Sequence, residues 1–236
     1  MAPSRTSHLS AFTLVELLVV IAIIAVLAAI SVPTIQGAMG GSKAAACLLN
    51  LRQIGSATMA YAADNNTQLP PAGTGGSPQW ALAIAPYIGG DPKNKKSIFV
   101  CPDCAVPVQS ARGNDVAVTY GLHGGLMPKG GQSVRLHSIP RPQQIILAAD
   151  MCQNPGNKGW SPYSIENPLV FTGGGRTGND GVDLSTPIST SVDADTGNAA
   201  WIRYRHNRRA NVVMVDGHAQ AMTKGEILNN NVVFDR

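Results

Sequence analysis

The sequence predicts an α+β fold. A long N-terminal α-helix, its first half transmembrane, packs its second half on a small antiparallel β-sheet with long irregular loops. Three observations predict it. Every residue from Leu17 to Ile30 is apolar. Further on, Cys47, Leu51, Ile54, Thr58 and Tyr61 recur at steps of four, three, four and three, which is one face of a helix. Near the C-terminus, "ANVVMVDGHAQAM" sets Asp216-Gly217 between two strand-like runs, a strong hairpin signal.

Taken in order, the apolar segment from Phe12 to Ile35 gives roughly 36 Å of helix at 1.5 Å per residue, enough for a hydrocarbon core of about 30 Å. Arg5 and His8 lie upstream and basic residues stay cytoplasmic, so the chain from Lys43 onward is expected on the far side. Pro33, Gly37, Gly40 and Gly41 predict a bend or local melting. The amphipathic stretch then ends near Asp64-Asn65-Asn66. In the body, 80–88 reads as a short helix. Residues 96–102, 116–122, 133–139 and 144–150 read as strands, and 173–200 as a long Gly- and Asp-rich loop. With 25 Gly, 16 Pro and 5% aromatics in 236 residues, this body is a single loop-rich domain with a modest core.

Glu16 is the anomaly in the apolar segment. A carboxylate there costs about 2.5–3.5 kcal/mol on insertion scales, so a partner is expected. A secretory signal peptide or a plain anchor supplies none. A cut just before Phe12 would create one, a new α-amino group. Between staggered neighbouring helices, Glu16 of one chain can neutralise that amine on the next.

These residues carry a resemblance. "AFTLVELLVVIAIIAVLAAI" resembles the N-terminal signal of type IV pilins and type II secretion pseudopilins. The resemblance implies cleavage between Ala11 and Phe12 by a prepilin peptidase, N-methylation of Phe12, and assembly through Glu16 and the helix-kinking Pro33. Ala11 departs from the Gly usual before the cut. Further stretches, "ACLLNLRQIGSATMAYAADNN", "FVCP", "TYGLHGG" and "RHNRRANVVMVDG", are similar to bacterial prepilin-like proteins with a C-terminal H-x9-DG signature, here His206, Asp216 and Gly217. The implied domains are a leader (1–11), a transmembrane and assembly helix (12–36), an amphipathic helix (37–66) and a pilin-like globular domain (67–236) with the signature hairpin at 206–217.

The remaining chemistry is sparse. The DG turn is expected to be a two-residue turn with positive φ, with His206 a structural histidine at the strand entrance. Four cysteines permit disulfides in an exported domain. Cys101–Cys104 and a bridge from one of them to Cys152 both stay open, with Cys47 a buried thiol or a bridge partner. A zinc site would need Cys101 and Cys104 together with Cys152 and His123 or His137. Asp193, Asp195 and Asn198 offer alternating oxygens for calcium, which the resembled major pseudopilins often hold, although no EF-hand pattern is present. No other cofactor is expected. Arg203, Arg205, Arg208 and Arg209, with Trp201 and Tyr204, form a basic cluster. A net charge of +4 is too small to argue for nucleic acid by itself, and nucleic acid is not expected as a partner.

No catalytic constellation is found, so no enzymatic activity is expected. The resemblance implies a pseudopilin-like structural subunit of a type II secretion or type IV pilus-like system. Its partners would be the prepilin peptidase/N-methyltransferase, other pseudopilin subunits, the inner membrane and its assembly platform. The expected location is the bacterial inner membrane, single-pass with a periplasmic globular domain, or a filament or cell surface after assembly. The alternative is a non-assembling, membrane-anchored periplasmic or surface binding protein.

Overall fold

A computed structural model describes residues 13–71, 73, 79–106, 108, 116–127, 133–155, 164–165, 183–188, 193–195 and 201–233. Helix α1 runs from Leu14 to Asp64. The chain divides into two units at Gly41/Ser42.

In the first unit the apolar side chains of α1 are uncovered. Ile21, Ile24 and Leu27 are all more than half exposed, and no part of the most apolar window is buried. Pro33 lies within the helix and removes one backbone donor. The Ser31 and Thr34 hydroxyls donate to the carbonyls of Leu27 (2.7 Å) and Ile30 (3.1 Å), one turn back. Gly37, Gly40 and Gly41 stay helical rather than melting. An added Cβ at any of them would meet nothing within 4 Å.

The second unit holds the core. Of the predicted stripe, Cys47, Leu51, Ile54 and Thr58 are fully buried. Tyr61 is half-buried and stacks edge-on against Tyr87. The helix ends at Asp64, where Asn66 and Thr67 take left-handed backbone angles and the Thr67 N–H caps the Ala62 carbonyl at 2.8 Å. Helix α2 (Gln79–Ile88) follows, as predicted, with Trp80, Ala81 and Ile84 buried.

The sheet comprises β1 (Tyr120–His123), β2 (Ile146–Asp150), β3 (Ser164–Ile165), β4 (Arg209–Met214) and β5 (Ala219–Thr223), in the order β3-β1-β2-β4-β5. The four longer strands pair antiparallel; the two-residue β3 joins β1 in parallel at one edge. Both faces are covered. Val213, Leu147, Tyr120 and Leu122 share a core with α1 and α2. Val212, Met214, Ile146 and Ala149 face Ile188, Ile202, Tyr204, Ile227 and Val232. This double burial explains why Ile146–Ala149 and Val212–Met214 are unbroken apolar runs. Helix and sheet approach closely at Gly55, where a Cβ would lie 2.6 Å from Val213 Cγ2.

Two predicted strands are corrected. Residues 96–102 form consecutive turns in which Phe99 and Cys101 are buried anchors. Besides bonds within the turns themselves, the two anchors bond Thr119: Thr119 N–H to the Phe99 carbonyl and Cys101 N–H to Thr119 Oγ1. Residues 133–139 contain one bridge, Gln68 to Arg135, and a 3-10 turn at Leu136–Ser138. Their backbone bonds to other segments go to Leu126, Thr67 and Leu69, so the alternating apolar pattern serves a loop anchor and no ladder forms among the described residues. The strand expected over 116–122 is shorter, pairing only from Tyr120.

Candidate assembly helix and signature site

Thr13 and Glu16 close the first turn of α1 reciprocally. The Glu16 carboxylate accepts the Thr13 N–H (2.9 Å) and hydroxyl (2.8 Å), and Thr13 Oγ1 accepts the Glu16 N–H (3.2 Å). This is a capping box, T-x-x-E, a pattern present in the sequence but missed beside the question of the buried charge. Ala11 and Phe12 lie outside the described residues. Pro33 is in the exposed part of the helix.

His206 stands at the head of β4. Two-residue turn geometry is found here rather than at the DG pair. Asn207 and Arg208 have φ of 51° and 62°, and His206 and Arg209 exchange both backbone bonds at 3.0 Å. Asp216-Gly217 instead belongs to a three-residue loop. Only Gly217 is left-handed, at φ 90°. Its N–H reaches the Met214 carbonyl (2.9 Å), while Met214 N–H reaches the His218 carbonyl (2.8 Å). The correction follows from register: β4 and β5 pair out to Val213–Ala219, which leaves more than two residues to turn. Asp216 Oδ1 then accepts the His218 N–H at 3.0 Å and approaches its ring Nδ1 at 2.6 Å. The nine residues of the H-x9-DG spacing are thus one turn, one strand and the start of the next turn.

The His206 ring is buried between two carboxylates. Nδ1 lies 3.1 Å from Asp103 Oδ2, and Nε2 lies 3.1 Å from Asp150 Oδ2. Nε2 is also 3.6 Å from Cys101 Sγ. Asp150, at the end of β2, is fully buried and also accepts the Asn211 N–H at 2.9 Å. Its Oδ1 has no hydrogen-bond partner among the described residues. Sequence reasoning missed Asp103 and Asp150. The one signal for Asp150 was a carboxylate closing the apolar run "QIILAAD".

Cys101 is bridged to Cys47, not to Cys104 or Cys152. Cys47 projects from the inward stripe of α1 toward the turn that carries Cys101, and the backbone between Cys101 and Cys104 is itself a turn. Burial pushes the Cys104 thiol up, and pushes Cys152 up to about 11. The zinc set built on Cys101, Cys104 and Cys152 is not assembled among the described residues. His123 is committed elsewhere: Nε2 donates to the Val232 carbonyl at 2.9 Å, while Nδ1 accepts the Gly125 and Leu126 N–H groups. Burial lowers its pKa to about 4. His137 meets Thr67 Oγ1 on the surface.

Asp193 and Asp195, two of the three residues expected to offer oxygens to calcium, face cations. Arg203 Nη1 lies 2.7 Å from Asp193 and its Nε 3.3 Å from Asp195, with Lys224 at 3.2 Å from Asp193 and Arg205 at 3.7 Å from Asp195. Asp195 also accepts the Gln153 N–H at 2.7 Å. Burial alone would raise the Asp193 carboxyl, but the Tyr204 N–H and the Arg203 and Lys224 cations hold it below its ordinary value. Oxygens that face cations are poor calcium ligands. Asn198 lies outside the described residues. The basic cluster is correspondingly divided: Arg203 and Arg205 are neutralised internally, while Arg208 and Arg209 remain exposed.

Residues 8–32 match the family model of the prokaryotic N-terminal methylation motif. The chain carries a prepilin-type N-terminus. No curated protein and no solved structure matches it. The prepilin-type match includes Ala11, Phe12, Thr13 and Glu16, ends one residue before Pro33, and does not reach the H-x9-DG site. Such a motif implies processing by a prepilin peptidase and assembly with pilin-like subunits. Together with the uncovered apolar helix it indicates membrane anchoring.

Proposed function

We propose that this prepilin-type chain is a pseudopilin-like structural subunit. Its leader, residues 1–11, is removed before Phe12, and Phe12 is N-methylated. The segment 12–36 holds the chain in the inner membrane, with the leader cytoplasmic and the domain periplasmic. An assembly platform then extracts it into a bundle, the helix of a type II secretion or type IV pilus-like filament. Glu16 meets the amino terminus of a neighbouring chain, and Pro33 adapts the helix to the bundle.

One observation carries this reading: the methylation motif runs into the N-terminal part of α1, whose apolar side chains are left uncovered among the described residues. A lipid bilayer covers such a surface before assembly, and sister helices cover it afterwards. The anchored binding protein is the weaker reading, because two of the four arginines proposed for its binding face are paired internally.

The test is mass spectrometry of the N-terminus of protein made in a bacterium with a prepilin peptidase. The expected mature chain begins at Phe12 and is heavier by one methyl group. A chain beginning near Val32, or an uncut Met1, would overturn the proposal.

A further inference from the structure

The Cys47 and Cys101 sulfurs and a ring nitrogen of His206 all lie within 4.8 Å of one another, and all three residues are buried. The Asp150 carboxylate touches the same ring nitrogen as Cys101, and one of its oxygens is buried with no hydrogen-bond partner among the described residues. On the opposite side of the ring, Asp103 stands 3.1 Å from Nδ1. A metal-bound histidine is ordinarily held this way. A carboxylate accepts the N–H of one nitrogen, fixes the ring, and leaves the lone pair of the other for the ion. His206 also lines a surface groove of about 570 Å³ together with Ala44, Ala45 and Leu48.

We propose that Cys47, Cys101, His206 and Asp150 form a second, metal-bound closure of this site when the disulfide is open, a four-ligand zinc site of two thiolates, one imidazole and one carboxylate. A tetrahedral zinc site with Zn–S of about 2.3 Å separates two sulfurs by about 3.8 Å. The opened pair must therefore part to about that distance. The His206 nitrogen, already within 4.8 Å of both sulfurs, must draw in around the ion, and Asp150, which stands beside that three-residue cluster, must turn its unpartnered oxygen toward it. The electron and proton accounting is simple. A dithiol reductant gives two electrons and two protons to the Cys47–Cys101 bond and becomes a disulfide itself. The two new thiols lose their protons to solvent as zinc binds. Either closure ties α1 to the turn carrying Cys101, so the domain keeps a staple in both redox states. His206 is then the member that completes the staple under reducing conditions.

The experiment uses the full chain in detergent, with Cys104→Ser and Cys152→Ser to remove the other thiols. Cobalt(II) is the optical probe and zinc(II) the competitor. The reduced protein is expected to bind one cobalt with a thiolate-to-metal charge-transfer band, which zinc abolishes. The oxidised protein shows no band. Zinc should also restore to the reduced chain the urea resistance lost on opening the bridge. Asp103→Asn, a substitution at a partly exposed side chain, should keep the band but weaken binding 10- to 100-fold. Absence of the band on reduction, equal uptake by the oxidised chain, or unchanged affinity in Asp103→Asn would each overturn the proposal.

Discussion

Opening the Cys47–Cys101 bridge in the presence of a chelator tests the largest single constraint on the domain. The bridge spans 54 residues of sequence. Closing a loop of that length removes about 4 kcal/mol of unfolded-state entropy at 25 °C in the chain-entropy account. A fragment beginning at Ser42 keeps every buried core residue, so urea unfolding can be followed in water by circular dichroism. With a denaturant slope of about 2–3 kcal/mol per molar, the midpoint should fall by roughly 1.3–2 M on reduction. The paired substitution Cys47→Ala/Cys101→Ala should fall at least as far, since it also removes two buried sulfurs. A shift under about 0.3 M with an unchanged slope would refute the reasoning. The turn carrying Cys101 would then be held by Phe99, Thr119 and the His206 carboxylate pair without the bridge.

Gly55→Ala should destabilise by about 1–3 kcal/mol through overpacking, because its Cβ would sit 2.6 Å from Val213 Cγ2. Adding Val213→Ala should recover part of that loss in the same urea assay, and simple additivity would show that the contact is not responsible. His123 binds its proton less readily in the fold than in the unfolded chain, so its contribution is complete at neutral pH and is lost as pH falls from about 6.5 toward about 4. The drop should reach about 3 kcal/mol, and a His123→Gln variant, less stable at pH 7, should show a flatter profile over that window. Calcium or a chelator should leave the melting temperature of the oxidised chain unchanged, since Asp193 and Asp195 already face Arg203 and Lys224; a calcium-dependent rise would reinstate the loop as a cation site. Glu16→Gln keeps a capping side chain but no charge, so filament formation should fail in it as in Glu16→Ala, as scored by microscopy and crosslinking.

The helix stripe was legible because burial recurs with the helical period, and Cys47, Leu51, Ile54 and Thr58 all point inward. The hairpin was legible in place but not in type. Gly217 needed its left-handed angle wherever the loop began, whereas the loop length depended on how far β4 and β5 remained paired. The false strands at 96–102 and 133–139 have apolar residues spaced like a strand, but among the described residues no neighbouring strand lies beside them. Alternation records burial, and a ladder also needs a partner backbone. The His206 site was least legible. Its four elements, α1, the turn at Cys101, the end of β2 and the head of β4, are far apart in sequence. Only the fold brings Asp103 and Asp150 to the two nitrogens of His206.

Glu16 has two explanations, and they differ in what they require of the side chain. The capping box needs an acceptor oxygen three residues beyond Thr13, which Gln supplies as well as Glu. Pairing with a neighbour's amine needs a full negative charge at apolar depth. A cap alone would be met at lower cost by the neutral residue, because a carboxylate in lipid carries a penalty that an amide largely avoids. That the chain has the costlier group is the physical reason for proposing that it has a cationic partner. The box serves a prior purpose in that arrangement. By fixing the carboxylate against the first turn, it holds the charge at the helix end, where the amine of an adjacent staggered helix would arrive.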